Sequence, residues 1–339
     1  TQGIKLMWYE KSIDNGIIPD FALRLGIKLQ ILNRIRTLKR NKSDDNIYDL
    51  FSVDDISSHS YDANKQHYEI PVNLFENILG PYMKYSSGLI SSTENTLYEI
   101  ELNMLNLVAK RAMLDNNQNI LELGCGWGSS ILYYAEKFPE SQFTGVTNSK
   151  LQKSFIDLKL QDKKITNVEI VKSDINIFTS KFKYDRIFSI EMFEHMNNWS
   201  KLINNISEWM TDDSRLFVHY FCHKNYFYKF SKNNNSWMEK YFFSGGSMPN
   251  LNIFNDLDHS LTLDKSWFES GCNYHKTLEF WYQNLKFNKK NILNIDFEDK
   301  SISSKTHYNR WKVFILACSE LFKINNGEEY LIGHALLKK

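Results

Sequence analysis

Between residues 119 and 221 the chain alternates short apolar runs with stretches whose apolar residues recur at helical spacing. The apolar runs are Ile120–Leu123, Gln142–Asn148, Val168–Val171, Tyr184–Ile190 and Arg215–Phe221, each of a length that suits one strand. Ser129–Lys137, directly after the first of them, is compatible with a helix. Strand, glycine turn and helix in succession predict an α/β, doubly wound core. Outside this block, Phe21–Ile35 has apolar residues at helical spacing with bases interleaved, and runs on into Arg36, Lys39, Arg40 and Lys42. Glu94–Met113, Tyr274–Leu285 and Thr306–Leu321 read as further helices, and Glu329–Lys338 as a last strand. Residues 41–45 read as a polar linker and 57–66 as a polar loop. Residues 224–300 break the rhythm. They are rich in Phe, Tyr, Trp and Asn, with turns at Gly245-Gly246 and Met248-Pro249, and read as an inserted cap that shapes a partly apolar pocket.

Composition narrows this picture. With 339 residues, 42% hydrophobic and 14% aromatic, the chain has ample material for a core. A net charge of +1 gives no bulk reason to expect a nucleic-acid partner. The four cysteines, Cys125, Cys222, Cys272 and Cys318, are scattered without a C-x-x-C pair. That points away from a metal site or a disulfide framework and toward a reducing cytosol. No apolar run is long enough to span a membrane, and the first residues carry no signal-peptide pattern. The basic helix over residues 21–42 leaves two readings open: packing on the main domain, or peripheral contact with an anionic lipid surface.

Candidate chemistry clusters at the ends of the predicted strands, where ligands of an open α/β sheet bind. After Ile120–Leu123 come Gly124, Gly126 and Gly128 at alternate positions. Glycine permits a sharp turn and a close backbone approach to a ligand. The E-x-G-x-G-x-G spacing differs from the dinucleotide fingerprint. It resembles the pattern of S-adenosylmethionine (SAM) methyltransferases, whose cofactor has no phosphate. The second strand ends in Thr147 and Asn148, with Gln152 one turn into the next helix. Neutral groups of this kind can bind ribose hydroxyls in place of the usual acid. After the third strand, Asp174 is placed for an adenine amino group, with Ile175 against the ring. Tyr85 and Ser86 belong to an aromatic–hydroxyl segment that reads as a lid on the cofactor carboxylate. After the fourth strand, Glu191, Glu194 and His195 lie at i, i+3 and i+4. If that segment is helical, they share one face and suit general-base chemistry on a cationic substrate.

Nine segments in order, HYEIPVNLF, PYMKYSSG, LELGCGWGS, VTNSKLQ, SDI, EMFEHM, FVHYFCHK, YFFSGGSMP and NNGEEYLIGHALLKK, resemble the cyclopropane-fatty-acid-synthase-like SAM methyltransferases. The resemblance implies a Rossmann-like seven-stranded SAM methyltransferase fold with its last strand antiparallel. It also implies a helical N-terminal extension over 1–80 and a SAM-binding core over 81–223. A cap insertion over 224–300 and a completing helix and strand over 301–339 follow. One branch of the family cyclopropanates lipid double bonds with bicarbonate held by a Cys, a Glu, a His and a Tyr. Here the Cys position is Ser87, with Glu194, His219 and Tyr274 as the other three. The coclaurine N-methyltransferase-like branch methylates amines with the set matched by Glu191, Glu194 and His195. Trp311 and Phe314 match its two late aromatics.

The expected function is therefore SAM-dependent N-methylation of a small aromatic or amphipathic amine. Glu194 is expected as central proton acceptor, oriented with His195, and Glu191 as charge partner. His219, Phe221, Tyr274, Trp311 and Phe314 are expected to bind the substrate. The alternative is cyclopropane synthesis on lipid. The expected location is cytoplasmic, peripheral to a membrane in the second reading, with a homodimer as an open assembly.

Overall fold

The computed structural model describes residues 9–41, 55–57, 70–92, 95–230, 237–243 and 245–339. The linker expected after Asn41, most of the 57–66 loop, the HYE of HYEIPVNLF and Glu94 lie outside the described residues. Strands β1 (Asn119–Leu123), β2 (Gln142–Thr147), β3 (Val168–Lys172), β4 (Tyr184–Ile190) and β5 (Met210–His223) form the parallel part of one sheet. Two-residue strands β6 (Tyr228–Lys229) and β7 (Ser247–Met248) make a separate ribbon. Strands β8 (Thr262–Ser270) and β9 (Tyr330–Lys338) complete the sheet in the order β3-β2-β1-β4-β5-β9-β8, with β9 antiparallel to both of its neighbours. This is the seven-stranded arrangement with an antiparallel last strand that the sequence resemblance implies.

Three details correct the sequence reading. The stretch 224–300 is not all cap, because β8 within it is the edge strand of the main sheet. β8 hides in the sequence because its burial is partial and its residues mix Lys265, Ser266 and Glu269 with Trp267 and Phe268. β5 begins at Met210, five residues before the expected start, because the polar Thr211–Ser214 is carried through an irregularity in its register with β4. The helix expected over Glu94–Met113 is Leu97–Arg111. Thr96 and Glu99 form a capping box at its start, and Met113 takes a φ of 58° just beyond its end.

The helix Asp20–Asn41 buries Leu23, Ile31, Ile35 and Leu38, and packs on the helix Ser304–Lys323. Arg24 ties it down by donating to Glu279 at 2.8 Å and to Glu320 at 2.7 Å. Asp14 likewise pairs with Arg310 at 2.8 Å, and Glu10 with Lys240 at 2.9 Å. Its outer face leaves Phe21, Leu25 and Leu29 exposed. Among the described residues no helix is long and apolar enough to cross a membrane. The helix Gly271–Phe287 lies against Ser304–Lys323, and together with Asp20–Asn41 these helices stand over the carboxyl ends of the strands.

Candidate active site

A cavity of about 830 Å³ opens at the carboxyl ends of β1, β2 and β4. Its floor is the turn after β1. Gly124 and Gly126 line it with φ of 77° and 52°, values that disfavour any side chain. A Cβ on Gly126 would meet no atom within 4 Å, so that glycine leaves the shelf open. Gly128 does not line the cavity. Its φ is 82°, and a Cβ there would come within 2.9 Å of Ile156, so this glycine allows close packing of the helix Lys150–Lys163.

The polar groups of this half fit SAM. Glu122 Oε2, Trp127 Nε1 and Ser129 Oγ are buried without a hydrogen-bond partner, and all three residues line the cavity. A free carboxylate oxygen suits the cofactor's ammonium, and unpartnered donors suit its carboxylate and hydroxyls. Burial pushes Glu122 up to about 8, a cost that a bound cation would offset. Thr147, Asn148 and Gln152 line the same wall, with Thr147 Oγ1 donating to Gln152 Oε1 at 2.7 Å. That bond leaves the Gln152 amide N–H groups for a ribose. Tyr85, Ser86 and Ile175 also line the cavity. Asp174 does not; its Oδ1 accepts from Asn176 N at 2.8 Å and Nδ2 at 3.0 Å, so it serves the turn.

The segment after β4 is not one helix. Glu191 has a φ of 49°, and only Phe193–His195 forms a single 3-10 turn. The three expected residues therefore point to different places. Glu191 lines the cavity and gathers donors from three elements: Ser87 N at 3.0 Å, His219 Nε2 at 3.2 Å and Tyr274 Oη at 2.7 Å. His195 also lines the cavity, stacked on Phe243 at 5.5 Å and 9°. Glu194 is fully buried and lies off the cavity, its Oε1 accepting the Phe221 N–H at 2.6 Å. Burial, and then the nearby Glu191, push its carboxyl well above the usual range. The expected central acceptor, Glu194, therefore does not line the cavity. The carboxylate that meets Ser87, His219 and Tyr274 is Glu191.

Burial also raises Glu191, opposed by the Lys84 cation and by the hydrogen bonds from Tyr274 and Ser87. Lys84 is a residue that sequence reasoning missed. It is 1% exposed and donates to Ser87 O at 2.8 Å and to Ser86 Oγ, while burial pulls it down to about 8. A lysine in a loop normally reads as solvated, so nothing local marks it.

The other half of the cavity is largely apolar, although Gln30, Arg34, Thr37 and Glu239 also line it. Phe221, Phe314, Phe243, Trp281, Tyr274 and Met248 line it. Leu23, Gly26 and Ile27 of the helix Asp20–Asn41 roof it, which sequence reasoning also missed, although the helical period and the glycine facing inward were visible. Trp311 and His219 do not line it. Trp311 stands behind Phe314, edge-on at 5.5 Å and 79°, and packs on Phe75 and Phe242. His219 is fully buried behind Glu191.

The sequence matches the mycolic acid cyclopropane synthetase family over residues 56–330. The chain belongs to that family. (S)-coclaurine N-methyltransferase of Papaver somniferum is 31% identical over 343 residues, spanning 97% of this chain and 97% of that one. Cyclopropane-fatty-acyl-phospholipid synthase of Escherichia coli (strain K12) is 26% identical over 223 residues, 65% of this chain and 56% of that one. A crystal structure of coclaurine N-methyltransferase bound to N-methylheliamine and SAH has a TM-score of 0.89 at 29% identity, covering 97% of this chain and 98% of that one. The chain is a SAM-dependent methyltransferase.

Proposed function

We propose that this family member methylates the nitrogen of a small amine whose body is aromatic or amphipathic. The observation that carries the reading is one cavity in which an apolar aromatic wall meets a carboxylate, Glu191, and an imidazole, His195. SAM supplies an electrophilic methyl group on its sulfonium. The aromatic wall holds the body of the amine, and the cavity excludes water from the nitrogen. Glu191 Oε1 already accepts two hydrogen bonds and Oε2 accepts one, so Oε2 keeps a lone pair for an ammonium N–H. An amine is mostly protonated near neutral pH and must lose a proton before it attacks. His195, on the cavity wall, is the residue we assign to accept it. Glu191 is the charge partner, and Glu194 holds the Phe221 backbone and with it the end of β5. Thr147, Asn148, Gln152, Tyr85, Ser86 and Ile175 are assigned to SAM, and Phe221, Tyr274 and Phe314 to the substrate.

The test offers methyl-labelled SAM to (S)-coclaurine and a panel of secondary amines, and separately to vesicles of unsaturated phospholipid with and without bicarbonate. Label on amines, indifferent to bicarbonate, is the expected result. Label in lipid that needs bicarbonate would replace this reading with cyclopropanation. The exposed Phe21, Leu25 and Leu29 support a peripheral lipid contact by residues 21–42. Salt-sensitive co-sedimentation with anionic vesicles is the expected sign of it.

A further inference from the structure

Behind Glu191 runs a buried hydrogen-bonded row that the proposed chemistry does not use. His219 on β5 and His334 on β9 are register partners, and Trp267 on β8 is the register partner of His334. Register alone thus sets His219, His334 and Trp267 side by side across three adjacent strands. At the far end Arg111, last residue of the helix Leu97–Arg111, stacks its guanidinium on Trp267 at 5.0 Å and pairs with Glu269 at 2.7 Å. Its other arm reaches His334 Nδ1 at 2.6 Å, His334 Nε2 lies 2.9 Å from His219 Nδ1, and His219 Nε2 lies 3.2 Å from Glu191 Oε1. Both histidines are fully buried.

The direction of this row follows from the donor inventory. Arginine has five N–H donors and no acceptor. His334 Nδ1 must therefore accept and carries no proton. Its one proton sits on Nε2 and is donated to His219 Nδ1. His219 is then left with its proton on Nε2, aimed at Glu191. We propose that Arg111, which does not line the cavity, is a positioning residue: it fixes the tautomers of His334 and His219 so that Glu191 is always offered a donor. Both imidazoles are held far below their usual range by burial first; Lys84 and Arg111 lower His219 further, and His219, Arg111 and Lys84 lower His334, so the neutral forms are favoured. A charged His334 would also place an N–H against the Arg111 N–H. The row consequently cannot carry a proton outward. It is a one-way polarity lock that keeps Glu191 an acceptor on its inner side and leaves Oε2 to the ligand.

The catalytic consequence rests on the proposed role of Glu191, whereas the tautomer pattern does not, and the test separates them. Protein labelled with 15N in the histidine rings is read by long-range 1H–15N NMR without substrate. His219 and His334 are expected as Nε2–H tautomers, unchanged from pH 6 to 8. An Nδ1–H form of either in the parent protein overturns the proposal, whatever the variants do. In Arg111→Met the two rings are expected to lose the single tautomer. There kcat/KM for an accepted amine falls roughly tenfold, the scale of one hydrogen bond to a charged group. Its acid limb moves to higher pH, SAM affinity stays within about twofold, and Arg111→Lys, which keeps a donor, restores the profile. The groups facing Glu191 that could confuse that limb are Lys84, Tyr274, Cys318 and Glu194. None of them contacts Arg111 in the row. An unchanged acid limb in a folded Arg111→Met protein also overturns the proposal. Absence of any methylated amine, with the tautomers as expected, sinks the functional reading and leaves the lock standing.

Discussion

Tyr274→Phe isolates the hydrogen bond on which the charge-partner role of Glu191 depends. The ring keeps its surroundings: it stacks on Phe322 at 4.5 Å and 29°, and meets Trp281 edge-on at 6.2 Å and 85°. What is lost is the 2.7 Å donation to Glu191 Oε2. Burial raises the Tyr274 hydroxyl well above its usual range, so it remains a protonated donor across any working pH. A hydrogen bond to a charged group contributes about 1.5–3 kcal/mol, or roughly ten- to hundredfold in affinity. The same loss raises the Glu191 carboxyl further, because the Tyr274 hydrogen bond is one of the interactions that hold it down against burial. The sign follows directly. Glu191 is ionised above its pKa in the folded protein, and pairing with an ammonium fails as pH falls through that value. Raising it therefore moves the acid limb of kcat/KM to higher pH. The assay is the initial rate with methyl-labelled SAM at sub-saturating amine from pH 5.5 to 9, with SAM affinity titrated in parallel. A limb that stays in place, with kcat/KM within about twofold, would refute the role of Glu191 argued above.

Three further outcomes are expected. Glu194→Gln retains most activity while Glu191→Gln loses it, because Glu194 lies off the cavity and burial already favours its neutral form; parallel kcat/KM and Tm measurements compare them. Glu122 is raised to about 8, so its contribution to stability is complete below the unfolded pKa near 4.5 and lost as pH rises through 8. Glu122→Gln should accordingly raise Tm at pH 8 without cofactor, yet weaken SAM binding, as thermal shift and calorimetric titration would read. Gly271→Ala places a Cβ 2.2 Å from Tyr330 O and 2.6 Å from Phe322 O, two backbone atoms that cannot step aside; overpacking of this kind costs about 1–3 kcal/mol, measured by denaturant unfolding.

The alternation of apolar runs and glycines carried the sheet core from β1 to β5, because buried parallel strands and their turns announce themselves in single-residue terms. The active-site carboxylates did not. A spacing of i, i+3 and i+4 specifies a shared face only on a helix, and Glu191 instead sits at a φ of 49°. That one backbone choice turns Glu191 toward the cavity and leaves Glu194 on the Phe221 amide. The family resemblance placed Trp311 in the pocket with Phe314, yet three residues on a helix diverge enough for one ring to line the wall and the other to back it. Lys84, His334 and Arg111 act through partners more than a hundred residues distant or through burial, and neither is written locally. Half-buried β8 lacked the apolar run that marks a central strand.

The roof of the cavity has an implication for how the chain is made. Arg24 finds Glu279 and Glu320, 255 and 296 residues further along, and Asp14 finds Arg310. The helix that roofs the cavity thus leaves a ribosome 255 to 296 residues before these partners do. At roughly 5–20 residues per second the interval is about 15–60 s. Throughout it Leu23, Ile31, Ile35 and Leu38 have no native surface to cover them. Contacts this non-local form late, since loop closure must precede them. During translation the parallel strands β1–β5 can pair while the roof, like β8 and β9, waits for the later residues, and that waiting helix is the segment a nascent-chain chaperone would be expected to hold.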